Sequence, residues 1–350
     1  MKFSFNRPIV SRIRKPSDQI YNTLRLNRAE YGHSFKSKKK TITDNYGYYP
    51  DISKLLDQLE KFLKTNKKNF LVGLGAESII KDILFFLSRK RKRIGHLIPN
   101  YFMYSIYAKL FGYKIFSLNI NPEFPKNLTI NDLKKFIKKN RVDLFILVNP
   151  SHPFEKNWSI NEIKILLNFC KKEDVTLIID EVYQGLGSLS SKKFINKYDN
   201  LIIIGSLSKS LGLPALRVGY TLSSAKLIKN LESYRLAIEL PYHSIQISLQ
   251  FLKDKKLIAK TRNRIINARK FAHLEFKKRN IKAFGKFGNS VTFKVKSDKL
   301  AKKIGNYLKK KNIIINYSYK KPFQNYLNLT TTNINNLKIF FSKLDQSKII

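Results

Sequence analysis

Short, almost purely apolar runs alternate along this chain with longer stretches in which apolar residues recur every three or four positions. The runs fall at 70–72, 95–98, 114–118, 144–148, 176–179, 201–204 and 218–222. Several hold little but Ile, Leu and Val, the composition of strands covered on both faces, as in a mostly parallel sheet. Between them, residues 77–87 set Ile79, Ile80, Ile83, Leu84 and Leu87 along one helical stripe. Residues 130–139 and 160–172 repeat that pattern, and 53–63 form a further helix, entered through Pro50 and Asp51 with Ser53 as its expected cap. The alternation predicts an α/β protein: a three-layer large domain on a mostly parallel seven-stranded sheet.

From about residue 240 the texture changes. A long basic helical stretch at 244–278 leads into a strand-like run at 290–295 and a helix near 298–310. Strand-like runs at 313–317 and 327–331 and a closing helix follow. This predicts a smaller α+β domain made of 1–45 and 241–350, with an N-terminal arm, beside a large domain at 46–240. In open α/β sheets, chemistry sits beyond the carboxyl ends of the strands, so the strand–loop junctions carry the candidate site.

Composition changes this picture little. The chain has 350 residues, ample for a large core, and one cysteine, Cys170, which favours a reducing, cytoplasmic setting and offers no metal cluster. The first residues lack the continuous apolar core of a signal peptide. No apolar run approaches the roughly 20 residues that span a bilayer. The formal charge of +44 is the unusual property. Such a field attracts nucleic acid, anionic lipid or phosphorylated metabolites. The lysines are spread evenly beside Asn and Ile, however, and read as compositional bias with solvated helix faces. The densest cluster, 89–93, reads as a helix end and loop, and no aromatics interleave with it to stack on bases. No specific nucleic-acid partner is expected.

Two junctions stand out. At 176–183, Thr-Leu-Ile-Ile-Asp-Glu-Val-Tyr puts Asp180 at the end of a buried strand, where a carboxylate needs a cation or hydrogen-bond donor, with Tyr183 beside it. That suits pairing with a protonated ring nitrogen or a plain structural role. At 205–220, Ser206, Ser208, Lys209 and Arg217 surround a glycine-containing loop. This grouping suits an anion together with a nucleophilic amine.

Together these segments resemble the fold-type I pyridoxal-phosphate enzymes of aminotransferase class I/II, nearest to the histidinol-phosphate aminotransferase branch. Ser-x-Ser-Lys with Arg-x-Gly-Tyr is similar to that family's lysine segment, and Asp-Glu-Val-Tyr to its pyridine-binding segment. Four further segments agree. Gly73-Leu-Gly-Ala-Glu-Ser resembles the loop that offers backbone amides to the cofactor phosphate, through Gly75, Ala76 and Glu77; in isolation it is a tight turn. Tyr101, in Ile-Pro-Asn-Tyr, takes the place of the aromatic that stacks on the pyridine, or else is a core residue. Tyr49 matches a tyrosine that reaches the partner subunit's phosphate, which implies a homodimer. Asn27 and Glu30, in Leu-Asn-Arg-Ala-Glu, match a segment near the substrate. The resemblance further implies Lys209 as the Schiff-base residue and proton carrier, Asp180 on the ring nitrogen, and Tyr183 tuning the ring oxygen. It assigns Arg217, Ser206 and Ser208 to the phosphate.

Two departures matter. His152 stands where the family has an asparagine that donates to the ring oxygen; imidazole also donates, and its charge depends on pH. Near the C-terminus the family holds the substrate's α-carboxylate with an arginine. Here the matching stretch is Asn-Tyr-Leu-Asn-Leu-Thr-Thr-Thr at 325–332, with Leu327 or a neighbour at that place, and no arginine follows Arg279. Lysine does not reproduce the bidentate clamp, although Lys320 or Lys321 could supply charge. The resemblance therefore implies an aminotransferase acting on a phosphorylated or sugar-derived carbonyl without an α-carboxylate. The alternatives are a decarboxylase of a phosphorylated amino acid and a non-catalytic homologue that has kept the cofactor.

Overall fold

The computed structural model describes residues 23–27, 48–120, 128–154 and 156–349. These fall into two compact units, the smaller from 23–27, 153–154 and 263–349 and the larger from 48–152 and 156–262. The larger unit thus runs past the expected boundary at 240, as far as Arg262.

The chain opens with β1 (Leu24–Arg25). The larger unit continues with α1 (Ser53–Leu63), β2 (Phe70–Leu74), α2 (Gly75–Leu87), β3 (Arg93–Ile98), α3 (Met103–Leu110) and β4 (Lys114–Asn119). Next come α4 (Ile130–Lys139), β5 (Leu144–Val148), α5 (Ile160–Lys172), β6 (Thr176–Asp180), β7 (Leu201–Ser206) and α6 (Leu207–Ser210). β8 (Val218–Leu222), α7 (Ala225–Glu232) and α8 (Tyr242–Lys253) complete it, and α9 (Lys255–Lys278) leads onward. The expected long helix at 244–278 is therefore two helices, parted at Asp254, whose backbone is non-helical.

The seven strands of the larger unit form one sheet in the order β2-β8-β7-β6-β5-β3-β4. Only β8 runs against its neighbours; the other adjacent pairs are parallel. The apolar strands divide their side chains between two cores because successive residues point to opposite faces. Phe145, Leu147, Leu177, Ile179, Leu201 and Ile203 pack with α1, α4 and α5. Leu144, Ile146, Ile178, Ile202 and Ile204 pack with α2, α3 and α7. A helix layer on each side explains why these strands lack polar alternation.

Local capping follows the chemistry of the chain. Thr129 and Ser159 start α4 and α5 with reciprocal capping boxes to Asp132 and Glu162. At α1 the expected cap is corrected. Ser53 lies inside the helix, and Asp51 accepts from its amide at 2.8 Å and its hydroxyl at 2.7 Å. The longer carboxylate side chain reaches the first turn from outside it. In the basic cluster, α2 ends before Arg89, and Arg91 makes a two-pronged ion pair with Asp174.

The smaller unit adds β9 (Ala283–Phe284), β10 (Ser290–Lys294), α10 (Asp298–Lys310), β11 (Ile313–Ile314), β12 (Tyr326–Thr330) and α11 (Ile334–Gln346). β12, β10 and β9 form an antiparallel sheet, while β1 pairs in parallel with β11. Its core gathers Phe276, Phe293, Leu327, Leu329 and Phe340. Among the described residues, no helix is long and apolar enough to cross a membrane.

Candidate active site

Strand direction brings the candidate residues of the larger unit to one edge. Val148 and Asp180 are register partners, as are Leu74 with Val218 and Ser206 with Gly219. The carboxyl ends of β2, β5, β6 and β7 therefore lie beside the start of β8. His152 follows β5, Asp180 closes β6, Lys209 follows β7, and Arg217 precedes β8.

Asp180 is buried and fully engaged. Its Oδ2 accepts from the Tyr104 hydroxyl at 2.7 Å and its Oδ1 from the Val182 amide at 3.1 Å. Burial pushes its carboxyl up to about 6; Tyr104, Val182 and the Lys209 charge pull the other way. Tyr183 stacks against His152, with ring centroids 5.4 Å apart and planes 28° apart. Burial, reinforced by the Lys209 charge, holds the His152 imidazole down to about 3, so it is neutral at physiological pH. The next residue along, Glu181, is also buried and accepts from Ser190 Oγ at 2.5 Å and the Ser191 amide at 2.6 Å.

The phosphate-type cradle is legible in close approaches. Gly75 has φ +80°, and a Cβ there would lie 2.9 Å from Arg217 Nη2. A Cβ on Gly219 would lie 2.3 Å from the Gly75 carbonyl carbon and 2.4 Å from the Ala76 nitrogen. Only glycine at 219 lets the first turn of α2 rest on β8. No side chain caps α2, which leaves its first amides and the positive end of a 13-residue helix beside a guanidinium. Ser206 Oγ accepts from the Ser208 amide at 3.0 Å and lies 2.9 Å from Ser208 Oγ. Arginine, hydroxyls and uncapped amides form a donor set suited to a phosphate. With Lys209 and Asp180 on the same edge, these residues fit pyridoxal phosphate.

Other expected residues fall as follows. Glu77 turns its carboxylate to tyrosines, accepting from Tyr101 at 3.2 Å and Tyr107 at 3.1 Å. Tyr101 is partly exposed and stands edge-on to Tyr104. Tyr49 is 85% exposed. Asn27 belongs to the smaller unit, where its carbonyl accepts from Asn316 Nδ2 at 3.1 Å. Glu30 lies outside the described residues. Tyr104 was not assigned a role from sequence; its signal is a tyrosine three positions beyond Tyr101, one turn along the same face. Glu239 was missed as well: it accepts from the Leu74 amide at 3.2 Å and is ion-paired with Arg235.

In the smaller unit, β12 carries the stretch that matches the family's arginine segment. Leu327 and Leu329 face the core, so Asn328 alone of the three takes the polar face. It is fully buried, donating to Ser290 Oγ at 3.0 Å and Thr292 Oγ1 at 2.8 Å. Thr292 in turn donates to the Pro153 carbonyl at 2.6 Å. Lys320 and Lys321 are exposed.

A family model described as aminotransferase class I and II matches residues 27–340. A histidinol-phosphate aminotransferase of Clostridium beijerinckii is 29% identical, covering 94% of this chain and 92% of its own. One from Caldanaerobacter subterraneus subsp. tengcongensis is 28% identical, covering 84% and 82%. The crystal structure of histidinol-phosphate aminotransferase from Sinorhizobium meliloti in complex with pyridoxal-5'-phosphate superposes with a TM-score of 0.83. It covers 93% of this chain and 90% of its own, at 17% identity, a likeness of fold.

Proposed function

We propose, for a chain that belongs to the class I and II aminotransferases, a transfer of amino groups to a carbonyl substrate that carries phosphate and lacks an α-carboxylate. The enzyme is pyridoxal-phosphate dependent, as its family is. The observation that carries the reading is the convergence of Lys209, Asp180 and the α2–Arg217 cradle on one sheet edge. When bound, pyridoxal phosphate supplies an electron-accepting ring that stabilises negative charge on the substrate carbon losing its proton.

The chain's own residues divide the remaining work. The Lys209 amine would hold the cofactor, and as a free amine it would take and return the proton as general base and acid. Asp180 offers a buried carboxylate to the ring nitrogen. Tyr183 and His152 bear on the ring oxygen; His152, neutral, acts there as a hydrogen-bonding group without adding charge. Ser206, Ser208, Arg217 and the amides of Gly75, Ala76 and Glu77 hold the phosphate, and Tyr101 covers the ring. The substrate class follows from Asn328, a neutral, fully engaged side chain on the stretch where the family carries its carboxylate-binding arginine. The names of the similar proteins favour, as acceptor, the keto counterpart of a histidinol-phosphate-like amine.

A homodimer is part of this reading. Around the N-terminus of α2, Leu74, Phe102, Leu236 and Ile238 are exposed apolar side chains, and Tyr49 is exposed as well. Such residues suit cover by a second copy. So does a reducing, cytoplasmic setting, in keeping with one buried cysteine.

Purified protein with pyridoxal phosphate should show a visible absorption band that is lost in Lys209→Ala. Glutamate with phosphorylated keto acceptors should give amino transfer, reduced at least roughly a thousandfold in that variant. Carbon dioxide release without a keto acceptor would replace this reading with decarboxylation. A colourless wild-type protein would leave only a non-catalytic homologue.

A further inference from the structure

Asp180 receives two donors of different origin. The Val182 amide is a local contact, available whatever side chain stands at 182 provided it is not proline. The Tyr104 hydroxyl arrives from α3, 76 positions away in sequence, at 2.7 Å. Tyr104 is 1% exposed and otherwise packed among Ile79, Ile80, Met103 and Ile178. Phenylalanine would satisfy that packing. A phenol buried in such a place is costly without a hydrogen-bond partner, and the one it makes is to Asp180.

We propose that Tyr104 is a positioning residue for the cofactor chemistry: its hydroxyl fixes the Asp180 carboxylate in one orientation and favours its ionised form, so that α3 sets the strength of the acceptor offered to the ring nitrogen. The proposal rests on the assignment of Asp180 given above. A carboxylate has about four acceptor positions. Tyr104 and Val182 take two, and capacity remains for a ring N–H. Burial drives the carboxyl upward to about 6, and Tyr104 is the foremost influence opposing it, ahead of Val182 and Lys209. Burial also raises the Tyr104 phenol well above its usual value, so it stays a donor throughout the working range.

Other groups act on the same carboxyl or its donor. Lys209 on α6 favours the charged form. Glu181, next in the chain, is itself pushed up by burial and by Asp180. Tyr101, just before α3, bears on the Tyr104 hydroxyl. His152, after β5, faces Lys209 and carries no charge near neutrality. Of these, Tyr104 alone makes a side-chain hydrogen bond to Asp180 among the interactions described.

Tyr104→Phe removes one oxygen and keeps the ring. In cofactor-free protein, carbon-13 titration of aspartate carboxyls, with Asp180 identified by its absence in Asp180→Asn, should show its midpoint moved upward by about one pH unit. With pyridoxal phosphate added, the dissociation constant at pH 7 should rise roughly tenfold. The pH at which binding weakens on acidification should move upward by the same interval. Adding Tyr104→Phe to Asp180→Asn should cost nothing further. A site-specific 3-fluorotyrosine at 104, a stronger donor of nearly the same shape, should move both midpoints downward, and it guards against a folding defect in Tyr104→Phe.

Weaker binding at every pH with unmoved midpoints is the behaviour of a packing defect and overturns the proposal. Additive losses in the double variant overturn it too. A wild-type protein that shows the carboxyl shift yet takes up no pyridoxal phosphate overturns the assignment of the site, and the cofactor half of this proposal with it.

Discussion

The carboxyl edge of the seven-stranded sheet and the three-stranded sheet of the smaller unit handle polar groups in opposite ways. At the sheet edge, α2 has no capping side chain and meets an exposed arginine, an arrangement with donors left to offer. In the smaller unit, Asn328, Ser290 and Thr292 are buried and bonded to one another. One region keeps donors that suit an anion. The other pairs its buried polar side chains with one another and with the Pro153 carbonyl. The difference teaches that the two units treat polar groups differently: one leaves helix amides without a side-chain cap, the other pairs its buried side chains. The residues proposed for the cofactor lie on one sheet edge, while the stretch at 325–332 carries a neutral, bonded amide.

The largest effect is expected where the first region depends on backbone contact. In Gly219→Ala the new Cβ would sit 2.3 Å and 2.4 Å from backbone atoms of Gly75 and Ala76, which no rotamer change relieves. The first turn of α2 must then lift from β8. We expect a loss of about 3–4 kcal/mol in stability, read from urea unfolding. We also expect at least roughly tenfold weaker binding of pyridoxal phosphate, since the amides move with the turn. Unchanged affinity in a folded variant would mean that the α2 turn takes no part in holding the phosphate.

The second region should respond differently. Asn328→Ala leaves Ser290 and Thr292 without their amide partner and opens a small void. The expected loss is about 2–3 kcal/mol. Pyridoxal phosphate affinity should stay within about twofold, because the network is a packing device of the smaller unit. A large fall in affinity here would break the comparison and tie Asn328 to the cofactor.

How much of this was legible in sequence depends on whether a feature is local. The strands β5 and β8 were read with the same limits because Asp143 and Asn149 bound the first and Arg217 and Ser223 the second. Lys209, Asp180 and Arg217 stood out as candidates because each lies at a strand junction within a short motif. The break at Asp254 was not seen, since the basic stripe continues through it and only the backbone turn marks it. Ser53 was chosen as a cap by residue type, whereas Asp51 reaches the same amide from two positions before. Tyr104 escaped because its partner lies 76 residues away. Nothing in a pattern of apolar positions distinguishes a buried tyrosine that packs from one that donates. The missing arginine was visible, but which residue of 327–329 takes the polar face was not, because that requires the pairing of β12 with β10.

The smallest effect concerns His152, the departure from the family's pattern at the sheet edge, and its sign should reverse with pH. His152→Asn loses the ring contact with Tyr183, about 1 kcal/mol at pH 7, while keeping a hydrogen-bond donor. The imidazole, however, is held down to about 3 in the folded protein against a usual 6.5. Between those values the unfolded chain binds a proton that the folded one refuses, so the wild-type protein loses stability as pH falls below 6.5. Asparagine has no such linkage. At pH 5 the wild-type deficit reaches about 2 kcal/mol, enough to outweigh the lost stacking. Unfolding curves should therefore show the variant less stable at pH 7 and more stable at pH 5, with a crossing between. Parallel curves across that range would mean that His152 accepts a proton in the folded protein near its ordinary pH, and that the cofactor edge tolerates a charge beside Lys209.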